Sequence, residues 1–304
     1  MTMDKRVSNP MQAAYLRRYM LTSGKENGIR VIEVFNGRLR FLLNESKALD
    51  MMQLFDRDMN LSFLSKNGFT ARELPFTKRF EGGMLYTVGL DSAGARDGYE
   101  LHGSFHNLPA DVTETVCSGD IIRVTANMED TELFGKNLLM RRTVTTKPGA
   151  SEVEVRDTLV NRGTKPEDYC LLYHVNLGYP FLDEGVRIVS DAETVIPRTD
   201  WAKAHLAGRT VFRAAKDNEE ECCYFLRNKT PHVEAINEKL KKKFSLDYSG
   251  ETLPRFLQWN SNASGDYALG LEPCTTDLDK GFTYRQIEPG ASIDFHVKMT
   301  LEDL

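Results

Sequence analysis

Two histidines, His102 and His106, stand four residues apart in the stretch "YELHGSFHNLP", with Gly103 between them and Asn107 beside the second. Gly103 and Pro109 argue against a helix that would place both imidazoles on one face. The pair could ligate a metal, act as a proton donor with its neighbour, or be two ordinary surface histidines. A third imidazole, His174, interrupts the apolar run in "YHVNLGYPFLDEG", with Asn176 two residues on. Glu272 does the same in "LGLEPCT", after Ala268-Leu269-Gly270-Leu271 and before Pro273. A carboxylate on a buried strand is costly unless it is paired or used. The plain alternatives are a solvent-facing glutamate at a strand end and a core histidine bonded to a backbone carbonyl. Trp259 in "LQWN" adds a flat aromatic able to stack on the C–H face of a sugar ring. Together, a carboxylate and two imidazoles in separate segments form an acid/base set. The carboxylate can take a hydroxyl proton, the imidazole can give one to an oxygen, and their surroundings can push the two pKa values apart. His205, His232 and His296 lie in charged or loop-like contexts and receive no role.

The elements that must position these groups are strands. "IRVIEVFNGRLRFLLN" reads as a hairpin turning at Asn36-Gly37, and "NLLMRRTVTTKPGASEVEVRDTLVNRG" as a second hairpin around "KPGA". "DYALGLEPCT" and "ASIDFHVKMTL" continue the period-two alternation, and turn signals recur between the runs. That spacing predicts an all-β chain, a large antiparallel sandwich or barrel. On a strand, residues two apart share a face, so His174 and Asn176 point the same way, as do Gly270 and Glu272. Two helical patterns are predicted, near Met11 to Met20 and over "HVEAINEKLKKKF", the latter from a stripe of Val233, Ile236, Leu240 and Phe244. No linker divides the chain, which is expected to form one domain over residues 1–304.

Composition narrows the classes. The chain has 304 residues, 41% of them hydrophobic, and a formal net charge of -5. Nucleic acid needs a concentrated basic face, and the single basic run, Lys239 to Lys243, is flanked by acids and reads as a solvated face. Five cysteines without CxxC spacing read as reduced thiols rather than a disulfide framework or a zinc site. No segment approaches the ~18 apolar residues of a membrane span, and the first twenty residues lack a signal-peptide core. A cytoplasmic protein is expected, with no membrane or nucleic-acid partner. GxSxG, GxGxxG and Walker A patterns are absent. A metal centre built from His102, His106, His174 and Glu272 is the main rival chemistry, but HxH spacing is missing and no metal is expected. Arg57, Arg72, Lys78 and Arg79 are near enough in sequence to leave a phosphate pocket open.

In this order the motifs resemble the aldose 1-epimerase, or galactose mutarotase-like, superfamily, and more closely its little-characterised bacterial branch. "NGRLRFLLNESKALDM" resembles the early strand pair and its Asp-containing turn. "FEGGMLYTVGLDSAG" resembles the Gly-Gly strand, "LHGSFHNLPA" the segment of the first active-site histidine, and "YHVNLGYPFLDEG" that of the second. "SDAETVIPRTDW" resembles the proline-containing segment that follows, and "LGLEPCT" the strand of the catalytic glutamate. The resemblance implies a β-supersandwich with a sugar cleft on a concave face, acting without metal or cofactor. It implies that Glu272 removes the proton of the anomeric hydroxyl, that His174 protonates the ring oxygen, and that His102 hydrogen-bonds the sugar. Sugar contacts are expected from His106, Asn107, Asn176, Trp259, Lys47 and Asp50. The "GR-x-A-N-R" arginine and the late aspartate-histidine pair of classical mutarotases have no counterpart here, so the acid/base set carries over further than the sugar-binding set. The expected function is interconversion of sugar anomers by a monomer or homodimer with a small-molecule sugar as its only partner. The alternative is a carbohydrate-binding or sugar-sensing protein without catalysis.

Overall fold

A computed structural model describes residues 5–304. The alternating sequence builds three antiparallel sheets. Five strands from Tyr15–Met20 to Met59–Asn60 follow one another in chain order. An eight-stranded sheet runs from Arg187–Val189 through His232–Asn237, Lys242–Tyr248, Ser292–Asp303, Glu152–Asn161, Asn137–Thr146 and Ile121–Thr131 to Asp111–Ser118. The third sheet carries the candidate chemistry. Its order is Ala192–Pro197, Cys222–Asn228, Arg255–Ala263, Asp266–Cys274, Glu167–Gly178 and Arg285–Ile287, with Leu85–Leu90 also paired to Glu167–Gly178. This is the all-β sandwich that the alternation predicts. One apolar core draws on all three sheets, for example Phe41, Val155 and Leu269. A smaller cluster of Tyr86, Leu172, Leu257 and Leu278 lines one face of the third sheet. No helix among the described residues is long and apolar enough to cross a membrane.

The Asn36-Gly37 turn forms as expected between Arg30–Phe35 and Leu39–Asn44, with Gly37 at φ +97°. Asn36 does more than turn the chain. Its Oδ1 accepts from the amides of Arg38 and Leu39 at 2.9 and 2.7 Å, and its Nδ2 donates to Thr146 and Ala150 of the second hairpin. Asp56 makes another tie between sheets, accepting from Arg38 Nε at 2.9 Å and pairing with Lys242.

Both predicted helices are corrected. Tyr15–Met20 is an edge strand paired to Arg30–Phe35, because the ladder satisfies its backbone where four of its six side chains are exposed. "HVEAINEKLKKKF" is a hairpin, His232–Asn237 and Lys242–Tyr248. Val233, Ala235 and Asn237 are buried in strict alternation, while Leu240, one of the four stripe residues, sits exposed in the turn. The 3.6-residue spacing of the stripe was accidental to a period-two face. The basic run is solvated and countered: Lys239 by Asp183, Lys242 by Asp56 and Asp303, Lys243 by Glu234 and Glu302.

Candidate functional site

A cleft of about 700 Å³ opens on the face of the third sheet. Strand register sets its floor. Glu272 lies opposite Leu257, Gly270 lies between Trp259 and Asn176, and His174 lies beside Tyr86. His174, Glu272, Trp259, Cys223 and Leu257 therefore share one surface and all line the cleft. His174 Nε2 stands 3.4 Å from Glu272 Oε1. Neither residue is more than 5% exposed, and Glu272 Oε1 and His174 Nδ1 accept or donate no hydrogen bond. Gly270 makes room for them: a Cβ there would lie 2.3 Å from Glu272 Oε1.

Burial governs the titration of the pair. It pushes Glu272 well above the usual carboxylate range, reinforced by Glu221 and opposed by Arg198. It holds His174 down to about 3, with His102 adding to the effect and Asn176 opposing it. Burial therefore favours the neutral form of each group.

The wall opposite Trp259 comes from loops. His102 reaches the cleft from a turn in which both it, at φ 66°, and Gly103, at φ 76°, are left-handed. A Cβ on Gly103 would meet Asp91 Oδ1 at 2.4 Å, which explains why a glycine follows this histidine. His102 Nδ1 accepts from the Gly94 amide at 3.3 Å, so Nε2 carries the ring proton. Burial, aided by Arg198, lowers His102 to about 4, so the ring is neutral near pH 7. Its centroid is 6.0 Å from that of His174 and 5.0 Å from that of Phe76. Phe80 and Trp259 pack against His174 at 5.7 and 5.4 Å.

The structure separates the two histidines of the "LHGSFHN" motif, and it moves several expected sugar contacts away from the cleft. His106 does not line it. The ring stacks on Tyr86 at 3.8 Å, with Nδ1 2.6 Å from Asp50 and Nε2 3.0 Å from Glu81. Asp50 also accepts from the amide and hydroxyl of Thr87, at 2.7 and 2.5 Å, and from Arg142 at 2.6 Å. Arg142, wholly buried, continues to Asp157, which accepts from Tyr173 at 2.7 Å. Lys47 is buried 3.8 Å from Glu81. Buried charges need partners; Asp50, His106 and Arg142 find theirs inside the protein rather than in the cleft, whereas Lys47 Nζ stands beside Glu81 without a hydrogen bond. Asn107 faces Glu100 at 3.4 Å. Asn176 is fully buried and donates to the His174 carbonyl at 2.9 Å. Of the four basic residues considered for phosphate, Arg79 is buried against Glu100 and Tyr86, and Arg57, Arg72, Lys78 and Arg79 are all absent from the cleft lining.

Several cleft residues escaped the sequence reading, chiefly Arg198, Glu221 and Cys223. Glu221 ends the acid run "NEEE", indistinguishable by pattern from a solvated loop. Arg198 lies in "VIPRTDW", inside a motif that was noted for its proline. Among the described residues no group of three or more His, Cys, Asp or Glu side chains is placed to hold a metal ion.

A family described only as a domain of unknown function, DUF4432, matches residues 26–301. The chain belongs to that family. None of the curated proteins matches this DUF4432 chain. Among solved structures it is similar to a protein of Klebsiella pneumoniae designated a candidate aldose 1-epimerase. The TM-score is 0.85 at 22% identity, over 95% of this chain and 83% of that one. A galactose mutarotase-like protein of Clostridium acetobutylicum follows at TM-score 0.72 and 12% identity, over 96% and 100%. A galactose mutarotase related enzyme of Lactobacillus acidophilus gives 0.58 and 12%, over 90% and 97%. At these identities the likeness concerns the fold: this DUF4432 chain has the galactose mutarotase-like sandwich.

Proposed function

We propose that the cleft interconverts the α and β anomers of a sugar by opening and reclosing its ring, with Glu272 as base and His174 as acid. The observation that carries this reading is the 3.4 Å approach of His174 Nε2 to Glu272 Oε1 at the floor of the cleft. The anomeric hydroxyl and the ring oxygen share one carbon, so the groups that exchange protons with them must stand side by side. This differs from an acid and a base on opposite sides of the ring. Glu272 takes the hydroxyl proton and His174 gives one to the ring oxygen. The C1–O5 bond breaks as the C1–O1 double bond forms. Rotation about C1–C2 and reversal of the same transfers close the other anomer.

The preference of both groups for their neutral forms suits this role. A shift from the Glu272 carboxyl to His174 creates the carboxylate and imidazolium that the forward step uses. His102, neutral and with its proton on Nε2, is the hydrogen-bond donor to the sugar, and Trp259 is the stacking face. Asn176 steadies the strand of His174 through its backbone carbonyl. His106, Asp50 and Lys47 hold the neighbouring wall through Tyr86 and Thr87 rather than touching sugar, and Asn107 stays with Glu100.

Anomer exchange measured by NMR over a panel of sugars tests the reading. Glu272→Gln should lower kcat/KM by at least about a hundredfold. Unchanged exchange in that variant means the base is misassigned. Saturable binding with no faster exchange than buffer means a sugar-binding protein without catalysis. The pH profile follows from the two shifts. Activity falls on the acid side near pH 3, where His174 becomes protonated, and on the alkaline side above the usual carboxylate range, where Glu272 loses its proton. A wild-type acid limb near 6.5 would contradict the assignment.

A further inference from the structure

The cleft holds three groups on which burial disfavours charge, His102 on its wall and His174 and Glu272 on its floor, and the chemistry proposed for them moves charge. Two cations line the cleft, Lys66 and Arg198. Lys66 is largely exposed and is paired with Asp266 at 2.7 Å. Arg198 is only 27% exposed and is fixed from two sides. Its Nε and Nη2 form a fork onto Asp279 at 2.7 and 2.9 Å, and its backbone amide donates to the Cys223 carbonyl at 2.9 Å. Glu221 stands 4.0 Å from Nη1, beyond hydrogen-bond reach, and is itself held by Trp259 Nε1 at 2.8 Å. The fork thus spends two of the three guanidinium nitrogens on Asp279 and leaves Nη1 4.0 Å from a carboxylate that the stacking tryptophan holds.

We propose that Arg198 belongs to the sugar site, donating from Nη1 to an oxygen of the bound sugar and supplying the fixed positive charge against which the Glu272 carboxylate works. The proposal rests on the anomer-exchange reading of the cleft for its kinetic part alone. Arg198 is countered by Asp279 and Glu221, so it offers a directed donor rather than a free cation, and the oxygen it meets is a hydroxyl or ring oxygen of an uncharged sugar. Such a fork is rigid, which aims the remaining donor before the ligand arrives. The groups facing Glu272 are His174, Cys223, Glu221 and Arg198. Of these Arg198 alone favours the carboxylate through its permanent charge, opposing burial and Glu221. It also disfavours protonation of His102, which keeps that ring a neutral donor.

Two variants and two readouts test this. Arg198→Gln keeps a donor and loses the charge. Asp279→Asn keeps the charge and loosens the fork. In Arg198→Gln, kcat/KM should fall about tenfold to a hundredfold, and the alkaline limb of the profile should move to higher pH because Glu272 has lost its opposing cation. In Asp279→Asn, KM should rise with that limb unmoved. The second readout needs no turnover: titration of the Glu272 side-chain carboxyl by ¹³C NMR should show a higher midpoint in Arg198→Gln than in the wild type. An unshifted Glu272 midpoint overturns the proposal, whether or not the wild type accelerates anomer exchange. So does a loss of activity that is uniform across pH and accompanied by a lowered Tm. If no sugar is accelerated but the midpoint moves, the function reading fails while the electrostatic role of Arg198 stands.

Discussion

A methyl group at position 270 would sit 2.3 Å from Glu272 Oε1 and 3.2 Å from His174 Cε1. The nearest atom is the end of a flexible side chain, while Trp259 Cβ, at 3.0 Å, must give by a few tenths of an ångström, so the strand can accept alanine at a modest cost while the carboxyl cannot keep its place. Gly270→Ala should fold with a modestly lowered Tm and lose most of its anomer exchange, through kcat more than KM. A wild-type kcat would show that the position of the Glu272–His174 pair matters little. The same residues show what was legible beforehand. Glu272 and His174 stood out because each is a polar group in an apolar run, and folding put both at the floor of the cleft. His106 stood out for its spacing from His102, and its ring turned inward. A buried polar side chain reads alike in sequence whether its partner is a ligand or another residue of the protein, and only the partners Asp50 and Glu81 distinguish the cases.

At the scale of elements, the wall behind His174 is braced by charge. Asp50, from one sheet, accepts from Thr87 of the strand that pairs with Glu167–Gly178, and Arg142 of a third strand joins Asp50 to Asp157. Arg142→Met should cost about 3–5 kcal/mol, because two carboxylates would be left buried without their cation. Urea unfolding of the variant and the wild type at the same pH measures it, and a cost below about 1 kcal/mol would mean that the network relaxes without the guanidinium. The hairpins of this framework were visible in advance, since Asn36-Gly37 and "KPGA" carry their own turn chemistry. The hairpin of His232–Asn237 and Lys242–Tyr248 was not. Its turn residues, Glu238 to Lys241, are good helix formers, and its strand identity comes from neighbours such as Ser292–Asp303. The cleft wall of Phe76, Phe80 and Asn67 was hidden for a related reason: loops carry no period.

For the molecule as a whole, carboxylates bound across sheets set the response to acid. Asp56 is held below the usual carboxylate range by hydrogen bonds from Arg38 and Lys242, against the opposing effect of burial. A depressed folded-state value gives stability that is present above about pH 4 and is lost as pH falls through the folded value. Asp56→Asn should therefore cost about 1–3 kcal/mol at pH 7, and the gap between variant and wild type should close by pH 2–3; a gap independent of pH would assign the cost to packing. The division of labour within the cleft has a further result. The Glu272–His174 pair is fixed by backbone ladders between neighbouring strands, whereas Ser65, Asn67, Phe76 and Phe80 come from a connecting segment between strands. Exchanges of its cleft-facing side chains, such as Asn67 and Phe76, leave the ladders intact. Descendants of such a scaffold can reshape the cleft by drift in residues 65–77 while the pair keeps its place.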